Sequence, residues 1–291
     1  MTSYQKNPPP IAVFADLHGF PSRFEKIRRV IDEGIKAVFV VGDIATSGEP
    51  DFQRANVRQC FELLLLGKPD VRVFAIPGND DWRIVEETMQ EFPEVTVPID
   101  RACALDETFR VVGYPHVPIT PFMYKDYEKW DDERYPEMPP DPAGLEAAEI
   151  AQRINLEGYR SRGLELYDFR FDPNDRTDNI LADVKFLTRL SDPQKTIYLF
   201  HCPPFGHFDF TLTLEGRANI GSRSICAFIR ETNPWLTIHV HSHEAVSIMR
   251  GEYRFKIADS VGFSVGAGND PTVLNGLLID IPSRLAQRIS G

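Results

Sequence analysis

The sequence predicts an α/β protein built around a parallel sheet. Two observations carry this. In the first hundred residues, short uninterrupted apolar runs alternate with segments of helical periodicity, the pattern of strands buried on both faces by crossover helices. Each run is also followed within three residues by Asp, Asn or Gly, the residues that turn a chain out of a strand. Of 291 residues, 42% are hydrophobic and 26% charged. That balance is ordinary for a folded domain and excludes a disordered or fibrous chain.

Ile11–Ala15 is the first strand. Ser22 and Glu25 have capping-box spacing, and Phe24, Ile27, Val30 and Ile31 recur at helical intervals until Gly34 ends the helix. Ala37–Val41 is a second strand, Asp51–Leu66 a helix and Val71–Ile76 a third strand. From 115 to 178 the chain is rich in Pro, aromatic and charged residues with little periodicity. A connection this long in a compact domain reads as an insertion or lid, or as a plain surface excursion. Regularity returns with a helix at Ile180–Leu190, a strand at Thr196–Phe200 and a helix at Ser222–Thr232. Strands are then expected at Leu236–Val240, Ala245–Met249, Tyr253–Ile257 and Val273–Ile281, forming a largely antiparallel set. The whole is expected to be a single domain, 1–291, carrying the insertion.

The formal charge of -11 disfavours a protein that grips long nucleic acid through its phosphates. It leaves small phosphorylated substrates open, because a bound cation reverses the local field. Cys60, Cys103, Cys202 and Cys226 are widely spaced, so neither a disulfide framework nor a thiolate zinc site is expected. MTSYQKNPPP has no basic stretch leading into an apolar run, and Leu63–Leu66 is far too short to span a bilayer. No membrane role is expected, and the expected compartment is the cytoplasm.

Polar residues gather where strands end. Asp16 and His18 follow the first, Gly42 and Asp43 the second, and Asn79, Asp80 and Asp81 the third. His201 follows Thr196–Phe200, and His239, His241 and His243 close another. Ligands of α/β sheets bind beyond the carboxyl ends of strands. Each cluster alone is common turn or core composition, but five together are difficult to explain by packing. Imidazole and carboxylate without thiolate suit Mn, Fe, Zn or Ni. Asp16, His18, Asp43, Asn79, His201, His241 and His243 are too many donors for one tetrahedral ion and enough for two sharing a carboxylate, an arrangement suited to phosphoryl chemistry.

The order D-x-H, G-D, G-N-x-D, H, H-x-H resembles the calcineurin-like metallophosphoesterases, on Asp16–Leu17–His18, Gly42–Asp43, Gly78–Asn79–Asp80–Asp81, His201 and His241–Ser242–His243. HCPPFG at His201 and IGSRS at Ile220–Ser224 look like a bacterial and archaeal branch of that family. The resemblance runs from about Ile11 to Ile281 and implies a four-layer α/β/β/α sandwich. It implies two metal ions (Mn, Fe, Zn, Ni or Mg), one held by Asp16, His18, Asp43 and His243, the other by Asp43, Asn79, His201 and His241. Asp43 would bridge, and a hydroxide between the ions would attack the phosphorus of a small phosphomonoester or phosphodiester.

Two positions depart from the family pattern. Asp80 stands where many members have histidine. As a carboxylate near two cations it is a poor acid at neutral pH, unless Asp81 pushes it upward. It is a catalytic candidate, or a cap of the helix that follows. Val240 stands where the family usually has glycine, which leaves His239 and His241 as an alternative pair. Glu244 continues the family pattern H-x-H-E and favours His241 and His243. His239 then becomes a buried strand residue or a group orienting a ligand.

Candidate substrate contacts are His116, His207, Arg217 and Arg223, with Asn219 as a further donor. Asn269 and Asp270 lie in a Gly-rich loop that either flanks the site or is a plain turn. A non-catalytic scaffold on the same fold, or a nuclease, are the alternative functions.

Overall fold

Two six-stranded sheets lie face to face, with helices on both outer surfaces. The computed structural model describes residues 10–68, 70–133, 154–213, 216–266, 270 and 272–290. The chain first lays down β1 (Ile11–Ala15), α1 (Pro21–Asp32), β2 (Ala37–Val41), α2 (Pro50–Leu65), β3 (Arg72–Ile76), α3 (Arg83–Met89) and the short β4 (Val95–Thr96). Then come β5 (Cys103–Ala104), β6 (Arg110–Tyr114), β7 (Val117–Pro118), β8 (Glu128–Lys129), β9 (Glu157–Arg162) and β10 (Glu165–Arg170). The last part contains α4 (Ile180–Leu187), β11 (Thr196–Phe200), β12 (Phe210–Thr213), β13 (Gly216–Asn219), α5 (Arg223–Thr232), β14 (Leu236–His239), α6 (Ala245–Ile248), β15 (Arg254–Ile257), β16 (Ser260–Ser264), β17 (Asn275–Asp280) and β18 (Leu285–Ser290).

The first sheet runs β18-β17-β1-β2-β3-β4 and the second β15-β16-β14-β11-β6-β5. Side chains alternate across each strand, so one strand feeds two cores. Ala12 and Phe14 of β1 pack under α1 and α2 with Phe24, Ile27 and Phe61. Ile11, Val13 and Ala15 point the other way and meet Ile197, Leu199 and Ile238 of the second sheet. Tyr198 and Phe200 of β11 pack beneath α4 and α5 with Val184, Phe228 and Ile229. Three apolar layers between four structural layers make the α/β/β/α sandwich.

The β1–β2 and β2–β3 pairs are parallel. So are β6–β11, β11–β14 and β14–β16. Of the strands expected near the end of the chain, β15 and β17 do pair antiparallel, while β14 runs parallel to both its neighbours. Within the two sheets, antiparallel pairing is confined to β5–β6, β15–β16, β1–β17 and β17–β18. The strands β16 and β18 were not anticipated. Ala245–Ile248 is a short helix and not a strand, with the Ile248 N–H donating to Glu244 O at 2.8 Å. A five-residue apolar run does not by its periodicity distinguish the two. Helix α1 begins at Pro21 with Phe20 as N-cap and no side-chain cap, so Ser22 and Glu25 form no capping box. Proline at the first helical position supplies the start instead.

Between 115 and 178 the described residues have structure of their own. β9 and β10 form a hairpin whose turn is Gly163–Leu164, with Gly163 at φ +57°. Ile119, Trp130 and Phe171 make a separate small apolar cluster. The hairpin was not legible because β10 has no fully buried position and so lacks an apolar alternation.

Candidate metal centre

The carboxyl ends of β1, β2, β3, β11 and β14 converge, and the loops leaving them bring Asp16, His18, Asp43, Asn79, His201, His241 and His243 together. Leu17, between Asp16 and His18, is fully buried in the helix-side core, an anchor worth roughly 2 kcal/mol. With Leu17 turned into that core, both neighbours face the site. The motif loops are then laced by their backbones: the Asp16 N–H donates to Gly42 O at 3.1 Å, His18 N–H to Asp43 O at 2.8 Å and Gly42 N–H to Ile76 O at 2.9 Å.

This convergence forces unusual backbone. Asp16, His18, Asp43 and His241 have φ of +47°, +48°, +44° and +70°. Left-handed conformations in residues with side chains cost about 1–3 kcal/mol each and cluster at functional sites. Two glycines make room. A Cβ on Gly42 would lie 1.8 Å from His201 Nδ1, and one on Gly78 would lie 2.2 Å from Asp43 Oδ1.

Donor atoms of His18, Asp43 and His243 all lie within 4.8 Å of one another, and so do those of Asp43, His201 and His241. Asp43 belongs to both sets. Asp16 lies between them, with one oxygen 3.9 Å from His201 Nδ1 and the other 3.9 Å from His243 Nε2. Asn79 Oδ1 is 2.9 Å from His201 Nε2, and the Nε2 atoms of His18 and His243 are 3.2 Å apart.

Burial disfavours charge throughout the cluster. It pushes the Asp16 carboxyl up to about 6. It raises Asp43 well above the ordinary carboxylate value, assisted by the neighbouring Asp80, Asp16 and Asp81 carboxylates. Burial, with the nearby His243, pulls His18 and His241 down to about 3, and His201 falls well below its usual value for the same first reason. The His18, His201 and His241 imidazoles are thus neutral donors at pH 7.

These residues fit metal ions. Neither Asp16 oxygen accepts a hydrogen bond of good geometry from any described residue, and His201 Nδ1 has no hydrogen-bond partner among them, although the His241 backbone N–H lies near enough to favour the Asp16 anion. Buried polar atoms without partners are costly. Cations among neutral imidazoles and carboxylates remove that cost.

His239 lies apart from the cluster. Its ring is stacked on Phe200 at 5.4 Å, and its Nδ1 is 2.9 Å from Cys202 O. Strand alternation sends it to the outer face, and the donors that meet are His241 and His243. Asp80 does not cap α3, whose N-cap is Trp82. Its carboxylate lines the cleft over the cluster and accepts a hydrogen bond from Asn79 Nδ2 at 2.9 Å. Burial, not Asp81, raises its pKa, and His243 opposes the rise.

Two buried residues that hold the site had not been singled out for that role. Asp81 accepts the N–H groups of Ile44, Ala45 and Gly78 at 2.9, 2.8 and 2.8 Å, tying the second motif loop to the third. Arg23 donates to Asp16 O and Asp270 O, both at 2.8 Å. Asp81 was visible only as the last residue of G-N-x-D, and Arg23 only as a charge in register with Ile27, Val30 and Ile31.

The cleft has a volume of about 510 Å³, with Asp43, Asn79, His241 and His243 at its floor, a size suited to a small ligand. Arg223 lines it. His116 does not. It sits in a separate cavity, its ring packed against Tyr114 and Tyr127, although β6 runs parallel to β11 and ends at the same edge. His207 is stacked on Phe255 at 5.4 Å and does not line the cleft either. The side chain of Arg217 and all of Asn269 lie outside the described residues. Asp270 is described, and its carbonyl receives Arg23. Among the described residues no helix is long and apolar enough to cross a membrane.

A family model described as calcineurin-like phosphoesterase matches residues 9–247. No curated protein matches the chain significantly. Among solved structures, the protein TT1561 of Thermus thermophilus aligns with a TM-score of 0.57 at 14% identity, over 97% of this chain and 98% of that one. A dimetal phosphatase from Danio rerio aligns with a TM-score of 0.50 at 12% identity, over 93% of each chain. At such identities the likeness is one of fold.

Proposed function

Because the chain belongs to the calcineurin-like phosphoesterase family, we propose that it hydrolyses a small phosphomonoester or phosphodiester at a two-metal centre built on Asp16, His18, Asp43, Asn79, His201, His241 and His243. The observation that carries this is Asp43, whose carboxylate falls within both donor clusters. The similar Danio rerio protein is a dimetal phosphatase, which agrees with the reading. Two ions bound there supply Lewis acidity toward a phosphoryl oxygen and make water acidic enough to ionise near neutral pH. The donor set suits Mn, Fe, Zn or Ni, with Mg also accommodated at the carboxylates.

The chain's own residues do the rest. The backbone lacing between the first two motif loops fixes the donors, and Asp43 Oδ1 accepts the Asp80 N–H at 2.9 Å, which aligns the third loop with the second. Asp80, at the cleft floor, is placed to exchange a proton with the departing oxygen. Arg223, with its guanidinium 4.2 Å over Phe205 and Nη2 unpartnered and buried, is placed to bind an anionic oxygen. Within the 115–178 insertion of a single unit, the described residues 118–122, Asp131 and Ile154 supply one wall of the cleft.

The test is hydrolysis of aryl phosphates and phosphodiesters by purified protein loaded with Mn. Activity lost in Asp43→Asn supports the shared carboxylate. Full activity in that variant refutes it.

A further inference from the structure

We infer that the substrate carries one phosphate group and an apolar organic group, alkyl or aryl, which occupies the cleft beside the metal centre. This rests on the phosphoesterase reading and narrows it. Beyond the polar floor, the cleft passes between two apolar walls. Ile119, Pro121 and Phe122 form one, and Phe205, Ala218 and Ile220 form the other. Phe122 is 54% exposed, a large apolar side chain left in water at the cleft until something covers it.

Several polar groups along these walls are already committed to the protein. Thr120 donates its hydroxyl to Glu128, its N–H donates to Glu128 Oε2 at 3.1 Å, and its Oγ1 accepts the Phe122 N–H at 3.1 Å. Asn219 Nδ2 is held by both oxygens of Asp209, at 3.0 and 3.1 Å. The Asp131 carboxylate receives the Ser222 hydroxyl and the Arg223 N–H, the latter at 2.8 Å. A sugar or a base lying against Thr120, Asn219 Nδ2 and Asp131 would give up water for few new partners, which is unfavourable.

Charge points the same way. Asp80 and Glu244 line the cleft against Arg223 as its one cation among the described residues. Arg223 and the metal ions together can balance a single phosphate. A second anionic group in the cleft would meet Glu244 with no further Lys or Arg among the described lining residues to balance it. The apolar wall is also held firmly: Lys125 Nζ donates to Thr120 O at 3.1 Å and to the buried Glu128 at 2.7 Å, which clamps the Pro118–Phe122 segment from behind.

The test is a binding ladder with alkylphosphonates, which cannot be hydrolysed, measured by calorimetry on full-length Mn-loaded protein. From methyl- to hexylphosphonate the affinity should rise by up to about fourfold per methylene. Butylphosphonate should bind at least several-fold tighter than 3-carboxypropylphosphonate, which carries a second anion at similar length. Phe122→Ser, at an exposed position where folding is not at risk, should reduce the rise per methylene. A flat or falling ladder, or tighter binding of the carboxylated ligand, overturns the inference. Hydrolysis of small esters alongside a flat ladder would leave the phosphoesterase reading standing. A rising ladder without hydrolysis of any ester would overturn that reading, and the substrate assignment with it, leaving the cleft as a binding site for one anion joined to an apolar group.

Discussion

Replacing Gly42 by alanine should damage the metal centre through His201 without removing a single donor. The added Cβ would sit 1.8 Å from His201 Nδ1, so the ring or the loop must yield by about 1.7 Å or more to restore ordinary contact. Gly42 also has φ +73°, a conformation costing alanine about 1–2 kcal/mol. Gly67 separates the two effects. Its φ is +72°, and a Cβ there meets nothing within 4 Å. Gly67→Ala should therefore lose only the conformational part. Gly42→Ala should lose about 1–3 kcal/mol more, the usual cost of overpacking. Misplacement by about 1 Å commonly costs a hundredfold in rate, so kcat/KM should fall about that far in Gly42→Ala and stay near wild type in Gly67→Ala. Thermal unfolding, metal calorimetry and ester hydrolysis on the three proteins decide it. Equal metal affinity and rate in Gly42→Ala and Gly67→Ala would show that His201 does not need the space that glycine leaves.

Asp80→His should flatten the dependence of rate on leaving-group pKa, with a roughly tenfold or greater gain for esters of poor leaving groups. A parallel change across all esters would remove Asp80 from proton transfer. Arg223→Met should raise KM by about tenfold or more while changing kcat less, because it removes a charged contact to the bound anion; a fall in kcat alone would place the arginine elsewhere. Burial raises the Asp131 carboxyl to about 6 from an ordinary 3.8. The folded state therefore holds that proton more tightly, so its stabilising effect is complete below about 3.8 and is lost as pH rises through 6. Asp131→Asn cannot titrate, so the stability gap between wild type and variant should narrow between about pH 4 and 6, by on the order of 2–3 kcal/mol. Denaturant unfolding at several pH values measures the gap, and a gap that widens would contradict the assignment.

The strand-end donors were legible because both signals were local. Ile11–Ala15, Ala37–Val41 and Thr196–Phe200 are continuous apolar runs, and the next residues are too polar to extend them. The left-handed backbone at Asp16, His18 and Asp43 was not legible. Aspartate and histidine do not announce that conformation as glycine does, and tertiary hydrogen bonds impose it. The cleft walls were hidden for a different reason: Ile119 and Phe122 meet Phe205 and Ile220 only after the second sheet has formed. His116 shows the limit of arguing from loops. It follows a strand of the second sheet, as His201 does, yet it packs into another cavity, since the face of a loop depends on packing that spacing does not encode. Ala245–Ile248 became a helix because the loop carrying His241 and His243 delivers the chain at Glu244 in helical geometry, again a tertiary cause.

Metal stoichiometry bears most directly on the shared carboxylate. The protein, stripped and reloaded with Mn or Zn, is titrated by calorimetry and assayed for bound metal beside Asp43→Asn. Two ions per chain are expected in the wild type, with affinity weakened at both sites in the variant, because Asp43 lies in both donor clusters. A single ion per chain in the wild type, or one site of undiminished affinity in Asp43→Asn, would contradict a dinuclear centre bridged by this residue.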